Sequence, residues 1–341
     1  ADLHHNLGAV YRALDRFDEA AASYAEAVRR APNRPDLHEK HGAALSASGD
    51  LDEAAAAFRR ALAQTPDFVD ARTGLAEVAM AQGAPKSAID LCDEYLRDFG
   101  YNSGVIAAKA LAHNDAGDET EAAYFLDLDR FVCPAEIGVP PTFTNRRAFD
   151  AAIEAEARAH PSLTFEPPAV ATTSGFQTGD LFHDAATPAI AALRGAVNAA
   201  VRDYIAALPD EPSHPFIANA PDRWTLNGWT VILKSHGHQR AHIHPDGWLS
   251  GVYYVKVPDS LTDTPGGSED GWIEFGRPPE TVRAMRENPT RRIAPREGVM
   301  ILFPSYLYHR TIPFEDSGER ISFAFDVIAQ HGVDPAELVG R

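Results

Sequence analysis

The sequence is poor in cysteine and methionine, short of basic residues, and free of long apolar runs. Its 341 residues include two cysteines and three methionines. Cys92 and Cys133 lie far apart and form no Cys-x-x-Cys pair. That excludes a disulfide-built scaffold and fits a reducing compartment or simple core packing. No apolar run reaches the roughly 18–20 residues of a membrane helix, so no membrane association is expected. Lys and Arg number 31 against 49 Asp and Glu, for a net charge of −18. A general nucleic-acid binder needs a basic surface to meet phosphates, so no nucleic-acid partner is expected, and the acidic excess is read as solubility. The expected location is the cytoplasm. The chain opens at Ala1, already inside a repeat, and is expected to be a trimmed form of a longer protein, so the lack of a signal peptide says nothing of its native start. Hydrophobic content of 45% and charged content of 23% are those of a globular protein, with length enough for two domains.

The first of these domains is periodic. Leu7, Gly8, Tyr11, Ala20, Tyr24, Ala27 and Pro32 return 34 residues later as His41, Gly42, Leu45, Ala54, Phe58, Ala61 and Pro66. A third copy keeps Leu75, Ala76, Ala79 and Ala88, with Cys92 and Tyr95 in the later slots. A degenerate fourth keeps Ala110, Ala122, Leu126 and Pro134. Period and small/large alternation resemble the tetratricopeptide repeat, a helix–turn–helix unit. Small residues at Gly8 and Ala20 let paired helices approach, large ones at Tyr11 and Tyr24 fill the space between hairpins, and proline stops the second helix. The resemblance implies an all-α solenoid of about four repeats over residues 1–137. It also implies a protein or peptide partner held in a concave groove. A scaffold that only shields or dimerises its neighbour is the alternative, and a homodimer is compatible with either.

After Pro134 the pattern changes. Gly138–Thr142 reads as a linker, Phe149–His160 and Ala186–Leu208 as amphipathic helices, and Thr172–Gly179 as a loop. From Trp224 onward strand formers dominate: Trp229–Lys234, Leu249–Val257, Gly271–Phe275, Gly298–Phe303 and Arg320–Val327. Short strands between Gly/Pro turns suggest an antiparallel sandwich or jelly roll. Helices first and strands second mark a multidomain α+β chain, with the second domain expected over residues 138–341.

Candidate chemistry gathers in the second domain. His242, His244 and Asp246 alternate, so in an extended strand all three project from one face. His309 follows the Gly298–Phe303 strand and a Phe-Pro turn. Arg320 and Ser322 form an Arg-x-Ser pair at the start of the next strand. With His-x-His-Pro followed by Leu-Ser-Gly-Val-Tyr-Tyr, residues 138–327 resemble the 2-oxoglutarate- and iron(II)-dependent oxygenases. Repeats ahead of the barrel are similar to the plan of the aspartyl/asparaginyl β-hydroxylases.

The resemblance implies a double-stranded β-helix, cupin-like, with flanking helices. It implies iron(II), 2-oxoglutarate as cosubstrate and dioxygen, and hydroxylation of a substrate C–H with release of succinate and carbon dioxide. Arg320 would pair with the distal carboxylate of the oxoacid, a guanidinium fork matching it bidentately. Ser322 and Tyr254 would add hydroxyl donors, as a strand tyrosine does in prolyl-hydroxylase-like enzymes. One departure stands out: the family's usual triad is His-x-(Asp/Glu)…His, and the residue two beyond His242 is His244. Either His242, His244 and His309 ligate the metal, or Asp246 supplies a third, anionic ligand beside His244 and His309. The distance to the following strand and the family's His-x-His-Pro pattern favour the first set, and ligand charge the second. His236 and His238 are expected in a loop at the barrel mouth, Glu274 and Arg277 lining that mouth, and Arg291, Arg292 and Arg296 on a solvated loop. Two other functions remain open on sequence: a three-histidine cupin-like dioxygenase that uses no oxoacid, and a repeat-based adaptor with a non-catalytic barrel.

Overall fold

The computed structural model describes the chain except for residues 169, 184–186, 264–266 and 331–341. It divides into two compact units, Ala1–Leu126 with Glu280–Asn288, and Asp127–Pro279 with Pro289–Arg341.

The first unit is a run of helices: α1 (Asp2–Ala13), α2 (Phe17–Arg30), α3 (Pro35–Ser48), α4 (Leu51–Gln64), α5 (Val69–Ala81), α6 (Pro85–Phe99), α7 (Ser103–Ala116) and α8 (Glu119–Phe125). Proline in the first turn of α3 and α6 costs nothing, since the amide it removes has no intrahelical partner. The 34-residue pattern works as a close-packing rule. A Cβ on Gly8 would lie 2.8 Å from the Tyr24 ring, and one on Gly42 would lie 3.0 Å from Phe58. Each glycine is thus the socket for the next helix's aromatic residue, and Tyr24 and Phe58 are almost fully buried. The fourth copy is cut short. α8 has seven residues, and Pro134, expected to end a second helix, lies instead in a strand. The Glu280–Asn288 segment completes this unit: the Asp115 carboxylate accepts from the Met285 and Arg286 amides at 2.9 and 3.0 Å. Asn114 donates to Asn288 at 2.7 Å.

The second unit contains α9 (Leu128–Phe131), β1 (Cys133–Glu136), α10 (Arg146–Ala159), β2 (Thr164–Phe165), β3 (Thr172–Gln177), α11 (Pro188–Ala207) and α12 (Pro215–Ala218). β4 (Trp224–Gln239), β5 (Leu249–Lys256), β6 (Ile273–Phe275), β7 (Arg291–Ile293), β8 (Val299–Pro304), β9 (His309–Thr311) and β10 (Arg320–Ala329) follow. They form a seven-stranded sheet, β1-β8-β5-β10-β4-β3-β2, and a three-stranded sheet, β7-β6-β9. Every pairing between these strands is antiparallel. This is a jelly-roll domain with flanking helices, the jelly roll predicted by the strand pattern and the double-stranded β-helix implied by the family resemblance.

Strand β10 shows how one sequence serves two environments. Ile321, Phe323, Phe325 and Val327 occupy one face and are fully buried. Phe323 meets Phe182 with ring centroids 4.8 Å apart. The alternating residues Arg320, Ser322, Ala324 and Asp326 point the other way, and β5 sets Tyr254, Val252 and Ser250 opposite the last three. On the apolar side of β5, Tyr253 packs on Phe149 of α10 and donates to Asp150 at 2.5 Å. Arg146 donates to the same hydroxyl at 2.8 Å. Burial pushes the Asp150 carboxyl up to about 6.

Two expectations need correction. Thr172–Gln177, expected as loop, is strand β3. Its polar residues and Gly175 hide the strand, which is held by backbone pairing with β4 across a register shift where Ser174 takes a φ of 50°. Arg291 and Arg292 lie on strand β7 rather than in a loop. The long helix begins at Pro188, and Ala186, expected at its start, lies outside the described residues.

Candidate functional site

His242, His244 and His309 converge. Ligand atoms from the three all lie within 4.8 Å of one another. Backbone pairing sets this up: His242 and His309 exchange N–H···O bonds of 3.1 and 3.0 Å, and the His244 amide donates to the Ser305 carbonyl at 3.1 Å. The ring centroids stand 5.0 Å apart for His242–His244, 4.3 Å for His242–His309 and 5.1 Å for His244–His309.

The hydrogen bonds of the three rings define which nitrogen each offers. His242 Nδ1 lies 2.7 Å from the Arg240 carbonyl, His309 Nδ1 lies 3.1 Å from the Leu307 carbonyl, and His244 Nδ1 lies 2.8 Å from the Asp326 carboxylate. An oxygen acceptor at Nδ1 requires the proton there, which leaves each Nε2 as a lone-pair donor. Burial, and then the neighbouring His244, pushes the His242 pKa down to about 3. Burial likewise holds His309 far below the usual histidine range, with His242 and His244 adding to it. Neutral imidazole is the form that binds metal, and three converging histidines suit a divalent transition ion such as iron(II). Aromatic residues wall the cluster: Trp229 stacks on His244 at 5.6 Å, and Phe303 lies 4.6 Å from His309.

Asp246 is not brought into this cluster; it sits exposed in the turn between His244 and Trp248. His236 and His238 also stay outside it. They belong to the end of β4 rather than to a loop, and His236 is exposed with Glu315 3.6 Å away.

Further along β10, Arg320 is 1% exposed. Its Nη2 reaches the Tyr254 hydroxyl at 3.4 Å, and its guanidinium carbon stands 4.9 Å from the Tyr254 ring centre. Nε and Nη1 are buried with no hydrogen-bond partner among the described residues. Burial accordingly lowers the Arg320 pKa. A buried guanidinium with two unsatisfied nitrogens is costly and is what a carboxylate would complete. Ser322 pairs across from Tyr254, so both hydroxyl-bearing residues share the face of Arg320. The residues therefore fit both groups: a three-imidazole set for a metal ion and an unsatisfied fork for an oxoacid.

Other expected site residues have structural work. Glu274 is fully buried on β6 and is enclosed by Arg277, Arg292 and Arg310 at 3.0, 2.8 and 2.5 Å. A cavity of about 680 Å³ between α11 and residues 133–141 involves none of the histidines and not Arg320. The Arg-x-Ser motif ends at Ser322, short of Asp326. Two further alternations along β10 lead to it, and only its meeting with His244 gives it meaning.

Residues 227–326 match the family described as "Putative 2OG-Fe(II) oxygenase". Residues 1–34 and 39–103 match tetratricopeptide-repeat families. No curated protein matches the chain. Among solved structures, "Crystal structure of MamA" is similar at 20% identity over 37% of this chain and 74% of that one, with a TM-score of 0.34. A Pseudomonas putida prolyl-4-hydroxylase is similar at 13% identity over 60% and 96%, with a TM-score of 0.40. The segment that carries the three histidines and Arg320 thus matches a 2-oxoglutarate/iron(II) oxygenase family, so the chain carries tetratricopeptide repeats ahead of an oxygenase domain, which supports a 2-oxoglutarate-dependent dioxygenase.

Proposed function

We propose that this enzyme hydroxylates a C–H bond of a protein or peptide side chain. Residues 138–341 hold iron(II), 2-oxoglutarate and dioxygen, and residues 1–137 recruit the substrate in their groove. The observation that carries the chemistry is the pairing of three converging imidazoles with the unsatisfied Arg320 fork. In this reading His242, His244 and His309 hold the metal through Nε2, and Asp246 does not ligate. Arg320 takes the distal carboxylate of the oxoacid bidentately, with the Tyr254 and Ser322 hydroxyls on the same face adding donors. When bound, iron(II) and dioxygen supply oxidative decarboxylation of the oxoacid to succinate and carbon dioxide, with one oxygen atom going to the substrate.

The chain's own work is positioning and shielding. Nδ1–H bonds hold each imidazole in its tautomer, and Trp229, Phe303 and Phe275 keep the centre dry. Recruitment by the repeats is supported by what such arrays generally do, which is to mediate protein interactions. The two free cysteines suit the cytoplasm. Among the described residues no helix is long and apolar enough to cross a membrane.

The test is succinate release by the full chain with iron(II) and 2-oxoglutarate, together with mass spectrometry of co-expressed proteins for a 16-dalton gain. Turnover that ignores 2-oxoglutarate would sink the oxoacid reading in favour of a cupin-like dioxygenase. Hydroxylation of a free amino acid as fast as of any protein would sink recruitment.

A further inference from the structure

The three imidazoles are not equivalent. His242 and His309 each give their Nδ1 proton to a carbonyl two residues earlier in the chain, Arg240 and Leu307. Those acceptors are neutral and local. His244 gives its proton to a carboxylate 82 residues away. That carboxylate is itself held. Asp326 Oδ2 takes the imidazole, while Oδ1 accepts the Ser250 hydroxyl at 2.7 Å, and Ser250 meets Ser305 at 2.8 Å. Ser250 and Asp326 face each other across β5 and β10, and the Ser305 carbonyl anchors the His244 amide. Backbone and side chain of His244 are thus fixed by one connected set of residues.

Charge counting gives the set a purpose. A dication on two histidines and one carboxylate carries a net +1, whereas on three neutral imidazoles it carries +2. We infer that Asp326 is a positioning residue that supplies the anionic charge absent from the three-histidine set, acting through His244. Its carboxylate, 2.8 Å from Nδ1, fixes the Nδ1–H tautomer, aims Nε2, and makes the imidazole a stronger donor, as carboxylate–histidine–metal arrangements do. The inference rests on the metal reading above and goes beyond it by naming the residue that replaces a carboxylate ligand. Asp326 also shares the face of Arg320 and Ser322, so one edge of β10 serves both the metal and the oxoacid.

The test measures cobalt(II) binding to the metal-free full chain by its visible absorption, with no turnover required. Wild type should bind one ion and His244→Ala none. Asp326→Asn keeps an acceptor but removes the charge, and should weaken binding at least about tenfold. Asp326→Ala removes both and should approach about 100-fold, the usual range for losing such a partner. Asp326→Glu should recover part of the affinity and of the wild-type spectrum, which a merely structural role would not do. Ser250→Ala, which frees the carboxylate without touching the histidine, should cost a few-fold and serves if the Asp326 variants unfold. Asp326→Asn, or failing that Ser250→Ala, binding as tightly as wild type would overturn the inference while leaving the three-histidine site standing. Absence of cobalt binding in wild type would overturn the metal reading itself and this inference with it.

Discussion

The helical unit and the sheet unit are built on opposite rules. In the repeats the glycine–aromatic contacts that set the packing join neighbouring helices: Gly8 with Tyr24, and Gly42 and Gly74 with Phe58. In the sheet domain the decisive contacts join distant segments, His242 with His309 and His244 with Asp326. A local rule repeats and tolerates decay at one end, as the truncated α8 shows. A long-range constellation has one copy of each part.

The comparison can be broken first at the metal. His309→Ala should lower metal affinity well beyond the roughly 100-fold of a lost supporting partner, whereas Asp246→Ala, on its exposed turn, should stay within about threefold. Calorimetric titration of both variants decides, and the reverse ranking would restore Asp246 as a ligand. A core change in the repeats should do the opposite. Phe58→Ala should cost about 3–5 kcal/mol of stability in that unit while leaving metal affinity unchanged. Thermal unfolding followed alongside metal titration tests that separation. Arg320→Ala should raise the 2-oxoglutarate requirement at least about tenfold, equivalent to about 1.4 kcal/mol, without altering metal affinity. Oxoacid titration of succinate release would show otherwise if the fork were idle.

The smallest effect concerns Asp150. Its folded pKa, about 6, lies above the unfolded value of 3.8, so its contribution to stability is full below pH 4 and is lost as pH rises through 6. Asp150→Asn should therefore stabilise the protein by about 1–2 kcal/mol at pH 7.5, with the difference vanishing near pH 4. Denaturant midpoints at the two pH values would reveal a wrong sign.

The same contrast governs what the sequence discloses. The repeats are legible because their rule is periodic, and the period fails where the helix is cut short. Central strands β5, β8 and β10 are legible because both faces are covered and the residues run apolar or alternate. Strands β1, β2 and β7 span two to four residues and owe their form to a distant partner, so nothing local marks them. His-x-His and Arg-x-Ser stand out through the two-residue strand period. Asp326 lies on that period too, yet an aspartate is unremarkable until folding sets it 2.8 Å from His244.

The Arg320 fork, read as the seat of the oxoacid, would also couple the folded state to the cosubstrate. A buried guanidinium lacking its counter-charge is a stored instability, and a bound dicarboxylate relieves it. A ligand that binds only the folded form stabilises it by about 2.7 kcal/mol at a hundred times its Kd. We expect 2-oxoglutarate to raise the melting temperature even without metal, and Arg320→Ala to abolish that rise. Folding stability would then depend on the oxoacid concentration before any catalysis occurs.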